Sequence, residues 1–203
     1  MLTELAEKLT ENGFEVLIVQ NAEEAAKAAL DMIPAGVDIG LGGSMTVRAL
    51  KLDEALRARG HEVHDHWLPG RSPEEQRQVF RKQVGAPVFL TSVNAVTMDG
   101  KLVNIDNTGN RVAAMIFGPE HVIAVVGKNK IVADVHEAVF RAKNHVASAN
   151  AKRRNSKTPC AADGECRDCD SPDRLCRVTA ILEKKTRGVA KFTVMLVAED
   201  LGY

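Results

Sequence analysis

The feature that most constrains this chain is an alternation of short, β-branched apolar runs with helical stretches. Phe14–Val19, Val37–Leu41, Pro87–Val93, Val122–Val126 and Phe192–Val197 are too short for helices and too apolar for strands that face water on one side. Strands of that kind, separated by helices, specify an α/β fold: a mostly parallel sheet with helices on both faces. Val37–Leu41, Val88–Ser92 and Val122–Val126 are the most continuous runs and are expected at the centre of that sheet.

The intervening segments carry helix signals. Leu2, Leu5, Ala6 and Leu9 share one helical face, with Gly13 as the stop. Asn21 with Glu24 three residues on reads as a cap, and the helix it opens runs to Ile33 before Pro34 and Gly36. A further helix holds Leu50, Leu52, Ala55 and Leu56 and closes at Gly60; His61 to His64 follows as a strand. Ser72-Pro73-Glu74-Glu75 is a capping box with proline in the first turn. Two alternating runs around Asp99-Gly100 predict a β-hairpin, and Arg111 to Phe117 a short helix. From Asp134 to about Asn150 a stripe of Val135, Ala138, Val139, Ala142 and Val146 predicts an amphipathic helix. Residues 152–177 then turn charged and cysteine-rich, a loop inserted in what reads as one domain spanning residues 1–203.

Composition narrows the function. Lys plus Arg and Asp plus Glu are 27 each and aromatics only 4%, which argues against nucleic acid as a partner. No apolar stretch approaches a membrane span, and the acidic, helical N-terminus is unlike a secretory signal, so a cytoplasmic location is expected. An oligomer stays open.

Three groups of residues could carry chemistry. Gly42, Gly43, Ser44 and Thr46 follow a strand and precede a helix, where free backbone N–H groups can hold an anion; the plainer reading is a tight turn in which Ser44 caps the helix. The segment Asn94 to Arg111 holds more short polar residues than one turn needs, including Asn104, Asp106, Asn107, Gly109 and Asn110. It forms either a set of Asx-turns or a pocket wall. In the second case the Arg111 fork clamps a carboxylate or phosphate, and Asp106 is its counterpart or a general base. The third group is C-x5-C-x2-C-x6-C at Cys160, Cys166, Cys169 and Cys176, the chain's four cysteines. Such a cluster points to a metal, a [4Fe–4S] cluster or zinc, with reduced thiols or a disulfide as the remaining choice. Flanking arginines are expected to lower the thiol pKa values. His61, His64 and His66 read as an exposed strand edge, with Asp65 pointing the other way, and the basic run 152–157 as a solvated helix end.

Taken in order, GGSMT, SVNAVTMDGKLVNIDNTGNRVAAMIFGP, VVGKNKIV and PCAADGECRDCDSPDRLC resemble the LUD-domain (lactate-utilisation) family. The resemblance covers nearly the whole chain and is closest to stand-alone members with a cysteine loop. It implies a fold similar to the ribose-phosphate isomerase, glucosamine-phosphate deaminase and CoA-transferase group. It also implies a part in oxidising L-lactate to pyruvate beside iron–sulfur partner proteins. Gly42, Gly43, Ser44 and Thr46 then form one pocket wall, and Asn94, Asp106, Asn107, Gly109, Asn110 and Arg111 the other. The chain departs from the fold relatives: the middle block has no nucleophilic glutamate of the CoA-transferase kind, and there is no isomerase Asp/Glu/Lys set. Two functions follow: a metabolic protein that binds a small anionic metabolite, or a non-catalytic electron-transfer or assembly component whose chemistry is the cysteine site. A zinc-stapled interface is a third.

Overall fold

A computed structural model describes residues 1–203. In chain order the elements are α1 (Leu2–Glu11), β1 (Glu15–Val19), α2 (Ala22–Asp31), β2 (Ile39–Leu41), α3 (Met45–Ala49), α4 (Leu52–Ala58) and β3 (Val63–Asp65). Then come α5 (Pro73–Gly85), β4 (Val88–Thr91), β5 (Ala95–Thr97), β6 (Leu102–Asp106), α6 (Asn110–Ile116), β7 (His121–Gly127) and β8 (Ile131–Val132). The last are α7 (Val135–Arg141), α8 (Ser148–Arg153), α9 (Pro159–Asp163), β9 (Val178–Leu182) and β10 (Lys191–Val197).

Six strands form one sheet in the order β1-β10-β7-β4-β2-β3, with every pairing parallel. Alternate residues of β7 explain its unbroken apolar run. Ile123 and Val125 enter a core with α2, α3 and α4 on one face, while Val122, Ala124 and Val126 enter a second core on the other. That second face is covered by α1 and α6 together with a smaller sheet, β8-β5-β6-β9. The hairpin at Asp99-Gly100 is antiparallel β5–β6, as its turn requires, and it is the middle of this second sheet.

The three runs expected at the centre, in β2, β4 and β7, are all interior strands, and β10 takes the remaining interior place. The helix expected to run to Arg59 is two helices, broken at Lys51, which adopts the left-handed conformation at φ 51°. The long amphipathic helix contains a π turn, Ala142–Ala147, between α7 and α8. The capping box at Ser72 and Glu75 forms as read.

One glycine sets a close approach. A Cβ on Gly40 in β2 would stand 2.3 Å from the Gln83 carbonyl oxygen, so the bare backbone lets α5 lie directly on the sheet. No helix is long and apolar enough to cross a membrane.

Candidate functional site

The chain leaves β2, β3, β4 and β7 at their carboxyl ends, and those segments converge on a cavity of about 590 Å³. From β2 the chain passes to β3 on one side, while from β4 it passes to β7 on the other. Adjacent strands whose connections diverge leave a crevice beyond their ends, the usual ligand position in an open α/β sheet.

Each wall is fixed locally. After β2, Gly43, Ser44 and Thr46 face the cavity. The Ser44 hydroxyl accepts from Val47 N–H at 3.2 Å, so it caps α3 as the plainer reading holds. Gly42 does not line the cavity: its N–H donates to Leu90 O at 3.0 Å, and Thr91 Oγ1 would lie 2.7 Å from any Cβ there. It spaces β2 from β4. Gly43 has a different use, since a Cβ would meet Trp67 Nε1 at 2.9 Å and His66 at 3.1 Å.

Asn94, Asp106, Asn107, Asn110 and Arg111 form the facing wall, together with Thr108. Asn94 Oδ1 accepts from Ile105 N–H at 2.6 Å and from Arg111 Nη2 at 3.2 Å; Arg111 Nη2 also donates to Ile105 O at 2.6 Å. Asp106 accepts from Val112 N–H at 3.1 Å and Asn107 N–H at 3.2 Å, and its Oδ2 lies 3.9 Å from Arg111 Nε. Gly109, with φ 86°, is outside the cavity and makes the left-handed turn that starts α6. Arg111 is buried, and burial lowers its pKa against the opposing pull of Asp106.

Lys130 is the site residue that sequence reasoning missed. It is 4% exposed, and its Nζ donates to Thr46 Oγ1 at 2.8 Å, Ser92 Oγ at 2.9 Å and Val93 O at 3.2 Å. Burial first, then the nearby Arg141 and Arg111, pushes its ammonium down to about 7. The signal was present in GKNK, which leaves β7 just as GGS leaves β2. Behind this wall Arg141 donates to Asn94 O at 2.6 Å and Asn129 O at 3.1 Å.

The histidine segment corrects the sequence reading. β3 is a sheet edge, yet His61, His64 and Asp65 are buried and His66 lines the cavity. Asp65 pairs with Arg48 and accepts from Trp67 N–H at 2.9 Å, while the Trp67 ring sits under Arg153 at 4.3 Å and Arg48 at 5.2 Å. Gln83, fully buried on α5, donates its two amide N–H groups to Leu41 O and His64 O, lies with the same nitrogen 2.9 Å from His66 Nδ1, and accepts from Asn110. Burial pushes the His66 pKa down to about 4. Asp38, Glu62 and His64 also cluster, but at the amino ends of β2 and β3, away from the cavity. There each ring nitrogen of His64 faces a different carboxylate.

The π turn supplies Ala142, Val146 and Ala147 to a third wall, which continues through Asn150, Arg153 and Arg154 to Leu175. The basic run is therefore in part the cavity rim, where the sequence suggested only a solvated helix end. Arg111, Lys130, Arg153 and Arg154 line the cavity against one carboxylate, Asp106.

The cysteine loop is ordered by its own contacts. Cys166 N–H donates to Asn144 Oδ1 at 2.9 Å, and Arg174 donates to Cys169 O at 2.7 Å and Cys176 O at 3.0 Å. All four cysteines are free and half-buried. Cys166 and Cys169 are near enough for their charges to act on Cys176, while Cys160 Sγ contacts Thr158 Oγ1 at 3.4 Å. The expected lowering of thiol pKa is reversed at Cys176: burial raises it, outweighing Arg174. No three sulfurs come within 4.8 Å of one another. Thiolates on a single zinc at about 2.3 Å would stand roughly 3.8 Å apart.

Fold and site together define an α/β protein with a cationic pocket at the carboxyl ends of a parallel sheet. The chain belongs to the LUD-domain family, whose match spans residues 2–197. Its structure is similar to the crystal structure of a DUF162 family protein from Deinococcus radiodurans, with a TM-score of 0.55 and 19% identity, covering 97% of this chain and 96% of that one. A comparison with curated proteins returns no match.

Proposed function

We propose that this chain binds an anionic metabolite in the cationic pocket and serves organic-acid utilisation, with L-lactate oxidation the process tied to its family. The observation that carries the reading is the excess of cations. Arg111 is buried in the wall and Arg153 and Arg154 line the rim, with Asp106 as the one acidic side chain of the cavity. Buried cations are stabilised by counter-charge, and a ligand carboxylate or phosphate supplies it. Asp106 serves as the proton acceptor, since each of its oxygens retains a second acceptor site. Size refines the ligand: a three-carbon acid displaces on the order of four waters of ~30 Å³ each, well short of the 590 Å³ available. The anion is therefore the handle of a larger molecule, such as a phosphate or CoA derivative, or it shares the cavity with a second substrate.

Calorimetric titration with phosphate, lactate, pyruvate and a CoA ester tests this. At least one should bind, and Arg111→Lys, which keeps charge but loses the fork, should weaken it about tenfold. Absence of binding by all four overturns the reading.

For Cys160, Cys166, Cys169 and Cys176 the reading is a [4Fe–4S] cluster, with zinc as the alternative. Support comes from four free thiols in one loop and from their uneven sequence spacing, with a single C-x2-C turn. When bound, the cluster supplies one-electron transfer. Leu175, next to Cys176, lines the cavity, which favours a site that serves the pocket over a detached electron-transfer component. Anaerobic purification should give brown protein with iron and sulfide; colourless protein with stoichiometric zinc overturns the cluster.

A further inference from the structure

We infer that Lys130 forms an imine with a carbonyl compound that also carries an anionic group, a 2-oxo acid or a phosphorylated aldose. The inference rests on the anion-pocket reading and adds a reactive centre to it. Lys130 closes the short turn Lys128–Lys130 after β7, and its Nζ reaches the cavity floor among Thr46, Ser92 and Val93. All three partners are neutral, and the charged groups acting on Lys130 are two cations, Arg141 and Arg111. A desolvated lysine beside other cations is held as the free amine, the nucleophilic form.

The hydrogen bonds fit that form. Thr46 gives its own proton to Leu201 O at 3.2 Å, so it can only accept from Nζ. The neutral amine keeps N–H donors for Thr46 Oγ1 and Val93 O, and its contact with Ser92 Oγ reverses, the hydroxyl donating to the lone pair. Ser92 can also turn to Val93 O, at 3.4 Å, which frees the nitrogen lone pair. Nearby, Arg111 uses Nη2 on protein acceptors and leaves Nη1 for the ligand's anionic group.

In the step, the lone pair attacks the carbonyl carbon and a C–N bond forms. One N–H proton passes through Ser92 to the carbonyl oxygen, giving a carbinolamine. Loss of that oxygen as water, with the second N–H proton, leaves the C=N bond. The balance is carbonyl plus amine to imine plus water, with nothing oxidised or reduced.

The test is reductive trapping. The full chain is incubated with pyruvate or glyceraldehyde 3-phosphate and sodium cyanoborohydride, then mapped by peptide mass spectrometry. One adduct at Lys130 is expected, absent in Lys130→Arg, and the reacting arm identifies the carboxylate or the phosphate carbonyl. Its yield should rise ~10-fold from pH 6 to pH 8 as the amine fraction grows. Adducts confined to exposed lysines, or unchanged in Lys130→Arg, overturn the proposal. Phosphate or pyruvate binding on the same preparation without an adduct overturns the imine alone; failure of phosphate, lactate, pyruvate and the CoA ester alike to bind removes the pocket reading with it.

Discussion

Lys130 makes stability depend on pH with a definite sign. Its pKa is about 7 in the fold and returns to the ordinary lysine value of 10.5 on unfolding. Between those values the unfolded chain holds the extra proton, so this residue makes the fold more stable as pH rises. Below about 7 both states are charged and the whole burial penalty stands. Lys130→Met removes the group, so its stability relative to wild type should be more favourable at pH 6 than at pH 9 in urea unfolding. An equal difference at both would mean that Lys130 stays charged in the fold. At this scale Asn94, Asp106 and Arg111 were legible because their segment is more polar than a turn needs. Gln83 was not: α5 is polar throughout, and nothing in PEEQRQVFRKQVG marks which glutamine turns inward. His66 was misread because alternation along a strand says nothing about the loop beyond it, where Asp65 and Gln83 set the ring's position.

Elements were legible wherever apolar spacing and caps agreed, as at α2, α5 and the β5–β6 hairpin. The break at Lys51 was invisible because Leu50, Leu52, Ala55 and Leu56 keep a helical spacing straight through it. A non-glycine residue there holds a left-handed conformation that costs about 1–2 kcal/mol, part of which glycine recovers. Lys51→Gly should therefore raise stability by about 0.5–1 kcal/mol in denaturant unfolding; a loss would show that the lysine side chain matters more than its backbone. Strand β9 escaped notice for another reason. It is an edge strand with Val178, Thr179 and Ile181 exposed, so its residues carry no core pattern. The cysteine loop packs through polar contacts to Asn144 and Arg174 more than through apolar burial. Cys166→Ser should accordingly speed proteolysis between Pro159 and Arg177 and leave the unfolding midpoint of the sheet unchanged. Equal cleavage rates in both proteins, with and without chelator, would show that the thiols do not order the loop.

For the molecule as a whole, the α/β class was legible because strands buried on both faces can hardly be written any other way. Strand order was not, since a run such as Phe192–Val197 reads the same at an edge or in the middle. The cavity was half legible for the same reason: its parts lie in separate segments, from Gly43 to Tyr203, and only the pairing of β2, β4 and β7 brings them together. That order has a consequence for how the chain emerges during synthesis. β1 pairs with β10 alone, and β10 also fills the free side of β7. β1 thus waits for β10, with its backbone donors and acceptors open until that strand is made. Native assembly of this half of the sheet waits until β10 has emerged, and a stalled chain ending before Lys191 leaves the β10-facing edges of β1 and β7 unpaired, the surface that chaperones exist to shield.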